Sequence, residues 1–141
     1  MKFPYGISDF QRVITGNYFY VDRTDSIPQL EASGDHLLFL RPRRFGKSLL
    51  LSMLENYYDI ARAGDFERIF GRLAIGAQPT PLHNRYFVLR WDFSAVRTDA
   101  GAAEIAQSIY DHINTAIRFF ASYYRDWLSI PIDVNPMNAL A

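Results

Sequence analysis

The order of three segments in the middle of the chain constrains its fold most strongly. Residues 37–40 are a continuous apolar run, and residues 41–48 are a basic segment that contains one glycine. A continuous apolar run is typical of a strand that is buried on both faces of a parallel sheet. Apolar residues at positions i, i+3, i+4 and i+7 share one face of a helix, and the third segment has them at Leu50, Met53, Leu54 and Tyr57. The order therefore predicts a strand, a loop and a helix.

A second strand and a long helix are predicted further along the chain. Residues 86–91 read Tyr-Phe-Val-Leu-Arg-Trp, a composition that is enriched in strands. Asp99 then precedes a helical pattern from residue 100 to beyond residue 119, with isoleucine at every fourth position: Ile105, Ile109, Ile113 and Ile117. Strands separated by helices indicate an α/β domain with a mainly parallel sheet flanked by helices.

Start and stop signals predict two short helices before the apolar run. Ser8 and Gln11 have the spacing of a capping box, and Gly16 follows as a residue that tolerates a left-handed helix end. A second helix is predicted to begin at residue 25 or 26, because Pro28 is acceptable in a first turn. We expect this second helix to end at Gly34.

Composition excludes several classes of protein. With 49% hydrophobic residues, the chain has enough apolar surface for a packed core. Fifteen basic and fifteen acidic residues cancel, so the overall charge favours neither nucleic acid nor a membrane surface. The lack of cysteine excludes disulfides and thiolate metal sites. No apolar run approaches the ~20 residues that cross a bilayer, and no signal peptide pattern is seen, so we expect a cytoplasmic protein without a membrane partner.

The basic segment contains the groups that a nucleoside triphosphate requires. Backbone N–H groups and the dipole at a helix N-terminus attract phosphate. Gly46 leaves room for a phosphate, Lys47 supplies a mobile cation, and Ser48 supplies a hydroxyl ligand for Mg²⁺. Arg41 stands where the usual P-loop pattern has its first glycine, so the turn needs another backbone path, which Pro42 helps to set. The predicted nucleotide-binding residues are Arg41, Pro42, Arg43, Arg44, Phe45, Gly46, Lys47, Ser48 and Leu49.

Alternatives stay open for the charged residues around this segment. Asp92 follows the second predicted strand, where it would either orient Mg²⁺ or cap a loop. Arg41, Arg43 and Arg44 fit a solvated loop, a contact with phosphate or a contact with nucleic acid. The alternative function is therefore a nucleic-acid-binding or signalling scaffold that uses the basic loop without turnover.

Three segments resemble one known family. They are residues 5–10 (Tyr-Gly-Ile-Ser-Asp-Phe), residues 20–24 (Tyr-Val-Asp-Arg-Thr) and residues 39–52, which include the block Arg-Pro-Arg-Arg-Phe-Gly-Lys-Ser. In this order they closely resemble the N-terminal part of the AAA-ATPase-like domain, a bacterial P-loop family whose members often carry a PD-(D/E)XK nuclease-like domain downstream. The family's own loop has arginine in place of the first glycine. The resemblance implies a P-loop NTPase-like fold that binds ATP and Mg²⁺, with nucleic acid as a candidate partner of the full-length relative.

The resemblance also implies that the chain corresponds to part of a longer domain. Family members have a Walker B strand that ends in Asp-Glu-Tyr-Asp, and no Asp-Glu pair occurs in this chain. We therefore expect an incomplete sheet, in a chain that binds nucleotide weakly and does not hydrolyse it. The predicted organisation is a helical segment over residues 1–35, the unit with the loop over residues 36–128 and an irregular tail over residues 129–141. A non-functional product of a truncated gene is a third interpretation.

Overall fold

The computed structural model describes residues 1–130 and residue 132. The chain divides into two compact units, Met1–Phe87 and Val88–Ala141. The first unit contains the helices α1 (Phe10–Thr15), α2 (Ile27–Ala32), α3 (Lys47–Tyr58), α4 (Phe66–Phe70) and α5 (Ala74–Ala77), with 3₁₀ turns at Thr24–Ser26 and Ile60–Asp65. The second unit contains a 3₁₀ turn at Phe93–Ala95 and the long helix α6 (Ala102–Tyr123). Most of the predicted tail, residues 131 and 133–141, lies outside the described residues.

The first helix forms where it was predicted, but with a different cap. The Asp9 carboxylate accepts a hydrogen bond from the backbone N–H of Arg12 at 3.0 Å. The predicted Ser8 cap is therefore wrong, because Asp9 is the residue whose side chain reaches the third helical N–H. Gly16 ends the helix as predicted with φ of −83°, and the left-handed conformation falls on Asn17 instead.

Of the later helix boundaries, the start of α2 follows the predicted signal and the cap of α6 does not. α2 begins at Ile27 and carries Pro28 in its first turn, as predicted. The predicted Asp99 cap of α6 is wrong, since Gly101 is the N-cap and the Glu104 carboxylate accepts from its N–H at 3.2 Å. No helix in the described part of the chain is long and apolar enough to span a bilayer.

The predicted α/β fold with a parallel sheet is wrong for the part of the chain that the structure describes. Residues 37–40 and 86–91 form no strand there, and the one β-type pairing is an isolated parallel bridge between Asp59 and Tyr86. In that bridge the Ile60 N–H donates to the Tyr86 carbonyl at 3.0 Å. A strand exists only when another segment accepts its backbone hydrogen bonds. An apolar composition alone does not supply that partner, so the two runs remain irregular.

The core of the first unit is largely aromatic and is built around α3. Its fully or almost fully buried members are Phe10, Ile27, Met53, Tyr57, Ile69, Phe70 and Ile75. The Tyr57 and Phe70 rings meet edge to face, with their centroids 5.4 Å apart. Leu50 and Leu54 are partly buried against this cluster, which confirms the predicted apolar face of α3.

Two polar residues from the second resembling segment connect distant parts of this unit. The Asp22 carboxylate accepts from the backbone N–H of Ala74 at 2.7 Å, and the Thr24 hydroxyl accepts from the N–H of Ile75 at 3.1 Å. Asp22 also accepts from the Thr24 hydroxyl at 2.7 Å. These bonds satisfy N–H groups at the start of α5, which lies some fifty positions further along the chain.

The second unit is organised by α6. Ile113 and Asn114 are its buried residues, whereas Ile105, Ile109 and Ile117 are half-buried. This pattern confirms that the four isoleucines lie on the less exposed side of the helix. Tyr124 is buried after the helix ends, and its hydroxyl accepts a hydrogen bond from the Val88 N–H at 2.9 Å.

Candidate phosphate-binding loop

The predicted loop leads directly into the N-terminus of α3. The helix begins at Lys47 and is twelve residues long. Residues 41–46 and Ser48 are exposed, while Lys47 and Leu49 are partly buried. The loop therefore presents its polar groups on the surface of the first unit.

Left-handed backbone geometry at two positions makes the turn of the loop. Arg44 has φ of 66° and Gly46 has φ of 78°. Arg41, in the place of the usual first glycine, does not share this geometry. A Cβ on Gly46 would meet no atom within 4 Å, so glycine is favoured there by its conformational freedom and not by lack of space. The left-handed residues lie near the helix end of the loop and not at Arg41. The loop can therefore form without a glycine at that first position.

The Lys47 ammonium group closes the loop on itself. Its Nζ donates to the carbonyl oxygens of Arg41 at 2.5 Å and Pro42 at 2.8 Å. These bonds hold the first two residues of the loop next to the start of α3. Both acceptors are neutral carbonyls, so an anionic oxygen at the same place would make a stronger partner for the ammonium.

The start of α3 offers N–H groups to a ligand. The first four N–H groups of any α-helix have no acceptor within the helix. Gly46 makes no side-chain capping bond, and the Leu50 N–H donates to the Gly46 carbonyl at 2.9 Å. The N–H groups of residues 47–49 therefore precede the first intrahelical bond.

The charges around the loop are all positive. No acidic residue occurs between Asp35 and Glu55. The Arg41 guanidinium lies 5.4 Å from the centre of the Phe39 ring, a cation–π distance. The Arg43 and Arg44 side chains are exposed and make no ion pair within the described residues. An anion approaching the loop would meet several cations and no carboxylate from the loop itself.

Ser48 is the residue that fits the predicted Mg²⁺. It is exposed in the first turn of α3, and a hydroxyl there supplies one of six oxygen ligands. Mg²⁺ in nucleotide sites takes most of the others from phosphate and water. Among the described residues, no group of three or more acidic or histidine side chains is placed to hold a metal ion without them.

Asp92 acts as a capping residue in the second unit. Its Oδ1 accepts from the Ser94 N–H at 3.0 Å, which caps the turn Phe93–Ala95. Hydrogen bonds from Ser94 hold the pKa of this carboxyl below its ordinary value. The Asp92 carbonyl also contacts the His112 imidazole. The premise for a metal role was a strand that ends at Asp92, and that premise is wrong because residues 86–91 form no strand.

Comparison with known proteins bears on this loop. A sequence model of the family described as a predicted AAA-ATPase matches residues 4–140. The chain belongs to this family. Its AAA-ATPase-like membership confirms the resemblance that was carried by residues 5–10, 20–24 and 39–52.

More specific comparisons add little to the family assignment. A relative from Azotobacter chroococcum mcd 1, described as "Uncharacterized protein in vnfD 5'region", is 45% identical over 58 residues. These residues are 40% of this chain and 11% of the relative, so the chain matches only a small part of that protein. No solved structure matches the chain.

Sequence reasoning did not identify one basic cavity in the second unit. This cavity of about 500 Å³ is lined by Arg118 and Arg125, with Leu128 among its apolar residues. Arg118 lies near the end of α6, whereas Arg125 follows the helix, which ends at Tyr123. Nothing in the sequence distinguished these two arginines from ordinary solvated residues.

Proposed function

We propose that the loop of this AAA-ATPase-like chain binds ATP or a related nucleoside triphosphate. One observation carries the proposal: an exposed basic loop without acidic residues runs directly into the uncapped N-terminus of a twelve-residue helix. Phosphate is the ligand that this combination of free N–H groups and cations favours. Family membership supports the same assignment.

Each residue of the loop has a distinct part in this proposal. Lys47 exchanges its two carbonyl acceptors for phosphate oxygens, which strengthens its hydrogen bonds because the new acceptors are charged. Gly46 keeps the backbone turn that orients the following N–H groups. Ser48 holds Mg²⁺, which neutralises phosphate charge when it is bound. Arg43 and Arg44 add positive charge at the rim.

Calorimetric titration of ATP into the full chain tests this proposal. Replacing Lys47 with alanine is expected to weaken ATP binding at least about tenfold, because it removes a charge-assisted hydrogen bond. Lys2→Ala is a matched control, since it removes the same charge at a side chain that lies 4.2 Å from the Tyr18 ring centre, far from the loop in sequence. Both variants should unfold near the wild-type temperature. Equal ATP affinity in the wild type and Lys47→Ala would contradict the phosphate role.

The same samples distinguish nucleotide binding from the alternative function, nucleic-acid binding. Arg43 and Arg44 are exposed, so a single-stranded oligonucleotide is the appropriate probe. The alternative requires binding that falls steeply as salt rises and that ATP does not displace. The nucleotide proposal requires the opposite result, with weak oligonucleotide binding that ATP suppresses.

We further propose that the chain binds nucleotide without turning it over at ordinary enzyme rates. Hydrolysis needs a group that positions water and Mg²⁺, and Asp92 is already committed to its capping bond. Phosphate release by the wild type and Lys47→Ala should therefore match the buffer background. Lys47-dependent release at about one per second or faster would contradict this proposal.

A further inference from the structure

The basic cavity of the second unit has polar side chains that no other group in the described part of the chain engages. It measures about 500 Å³, and its polar lining consists of Arg118, Ser122, Arg125 and Ser129. None of these four side chains makes a hydrogen bond or an ion pair within the described residues. All four can donate to a ligand, and no acidic residue is among the described residues that line the cavity. The cavity therefore offers donors and positive charge without a carboxylate to engage them.

A second cavity in this unit, of about 430 Å³, differs in this respect. There the Arg97 side chain donates to the Asp99 carboxylate at 3.5 Å, and the Gln107 amide donates to the Asp111 carboxylate at 2.9 Å. Charged groups of that cavity therefore have partners from the same chain. The basic cavity lacks such partners, so its guanidinium groups are available to a ligand.

The end of α6 offsets the positive charge of the basic cavity only in part. A helix C-terminus carries about half a negative charge, and α6 ends at Tyr123, between the two arginines in the sequence. Arg118 and Arg125 each carry one full positive charge. Asp126 is exposed and is not among the lining residues. Because two full charges exceed half a charge of opposite sign, the cavity attracts anions.

Apolar side chains form the rest of the lining. Ala121 and Leu128 are half-buried, and Ile130 is exposed. An aliphatic group that packs against them leaves water, which favours binding roughly in proportion to the apolar area that is buried. The volume of the cavity also lies within the ~300–1,000 Å³ that is typical of small-molecule sites. The lining thus fits a small molecule that carries both an anionic group and an aliphatic group.

We propose that this cavity binds a phosphate monoester with a short aliphatic chain. Such a monoester carries about 1.5 to 2 negative charges near pH 7, which matches the two arginines. A guanidinium group pairs with phosphate through two parallel hydrogen bonds, and the hydroxyls of Ser122 and Ser129 donate to further phosphate oxygens. The aliphatic chain packs against Leu128. This proposal does not rest on nucleotide binding by the basic loop.

Calorimetric titration of hexyl phosphate into the full chain tests the proposal. Hexyl phosphate should bind about tenfold more tightly than inorganic phosphate, because its chain adds apolar contact. It should also bind about tenfold more tightly than hexanoate, which carries only one negative charge. Arg118→Gln and Arg125→Gln should each weaken the binding of hexyl phosphate by at least about tenfold, since each removes a charge-assisted pair. Both side chains are exposed, so circular dichroism should show the wild-type fold in both variants.

Arg72→Gln is the matched control for the two variants. Arg72 is exposed in the first unit and makes no ion pair within the described residues. This control should bind hexyl phosphate as the wild type does. Arg118→Gln should keep the ATP affinity of the wild type, and excess ATP should not displace hexyl phosphate. A failure of the cavity proposal is thereby distinguished from a failure of nucleotide binding at the loop.

Several results would overturn the proposal. They are a wild type that does not bind hexyl phosphate at millimolar concentration, equal affinity in the wild type and both arginine variants, displacement of hexyl phosphate by ATP, and binding of hexanoate as tight as that of hexyl phosphate. Vesicles of phosphatidylcholine with and without phosphatidate separate a soluble monoester from a lipid headgroup. Both kinds of vesicle should sediment equal amounts of the chain. Sedimentation that depends on phosphatidate would overturn the assignment to a small soluble ligand.

Discussion

The two ends of α3 lie in contrasting surroundings within the first unit. In its second half, Met53 is 4% exposed and Tyr57 is completely buried. At its start, Ser48 is exposed and Lys47 donates its side-chain hydrogen bonds to two carbonyls of its own loop. One helix therefore supplies both the centre of the core and the candidate ligand site.

This contrast separates stability from binding along a single helix. Burial of the C-terminal half holds α3 in place, because most helix stability in proteins comes from packing of an apolar face. The N-terminal turn is then left with its N–H groups free for a ligand. Substitutions in the core half should change the free energy of unfolding, whereas those in the first turn should chiefly change binding.

The largest expected effect is at Tyr57. Tyr57→Ala removes a ring that packs against Phe66 and Phe70, and it should lower the free energy of unfolding by about 3–5 kcal/mol. That loss is a large part of the ~5–15 kcal/mol that is typical of whole domains. Urea denaturation followed by circular dichroism measures it.

Tyr57→Phe is the matched control, because it removes only the hydroxyl. That hydroxyl accepts from the Thr80 N–H at 2.8 Å and lies 3.0 Å from the Thr80 hydroxyl. Leaving the Thr80 N–H buried without a partner should cost about 1–3 kcal/mol, while the Thr80 hydroxyl keeps its bond to the Glu31 carboxylate at 2.8 Å. A Tyr57→Ala effect as small as that of Lys47→Ala would break the contrast between the two ends of α3.

The next largest effect is expected at Gly46, at the loop end of α3. Gly46→Ala should destabilise the chain by about 1–2 kcal/mol, because alanine is strained at φ of 78°. Gly64→Ala is its control: a Cβ there also meets nothing within 4 Å, and its φ is not left-handed. We expect the control to change stability by less than about 1 kcal/mol, and towards greater stability. Equal destabilisation by both would contradict the left-handed turn at Gly46.

The smallest expected effect concerns Tyr20 and alkaline pH. Burial, with a smaller contribution from Asp22, raises the pKa of Tyr20 to about 12 from its ordinary value of 10.0. The folded state therefore keeps this proton after the unfolded state has lost it. The contribution of the Tyr20 proton to the free energy of unfolding is complete below pH 10, and it declines as the pH rises towards 12.

Tyr20→Phe removes this decline, so the variant should lose less stability than the wild type between pH 10 and pH 12. At neutral pH the two should differ by only about 0.5 kcal/mol, since the lost hydrogen bond is to the Met53 sulfur at 3.7 Å. Tyr5 is 98% exposed, and Tyr5→Phe should leave the pH profile unchanged. Parallel profiles for wild type and Tyr20→Phe would show that Tyr20 titrates normally.

Local signals in the sequence predicted the helices well. Pro28 marked the first turn of α2, and the spacing of Leu50, Met53, Leu54 and Tyr57 identified the buried face of α3. Errors in the caps were small, as when Asp9 took the place of Ser8. These features involve residues within about one or two helical turns, and so the sequence pattern carries most of the information.

Contacts between distant segments were not predictable in the same way. The apolar runs at residues 37–40 and 86–91 indicated strands, but a strand depends on a partner that its own sequence does not specify. Likewise, nothing in the segment around Asp22 shows that its carboxylate accepts from the N–H of Ala74. The hydrogen bonds from Lys47 to the Arg41 and Pro42 carbonyls were likewise not predictable from the sequence.

The sequence by itself determined the family, the position of the basic loop and the presence of a helix directly after it. These follow from residue identity and from spacing along a continuous stretch of chain. Only the tertiary structure decided that residues 37–40 are exposed and form no strand in the described part of the chain, that the turn of the loop lies at Arg44 and Gly46, and that Asp92 is a cap. The reason is physical: pairing, burial and backbone strain depend on which distant groups satisfy each hydrogen bond.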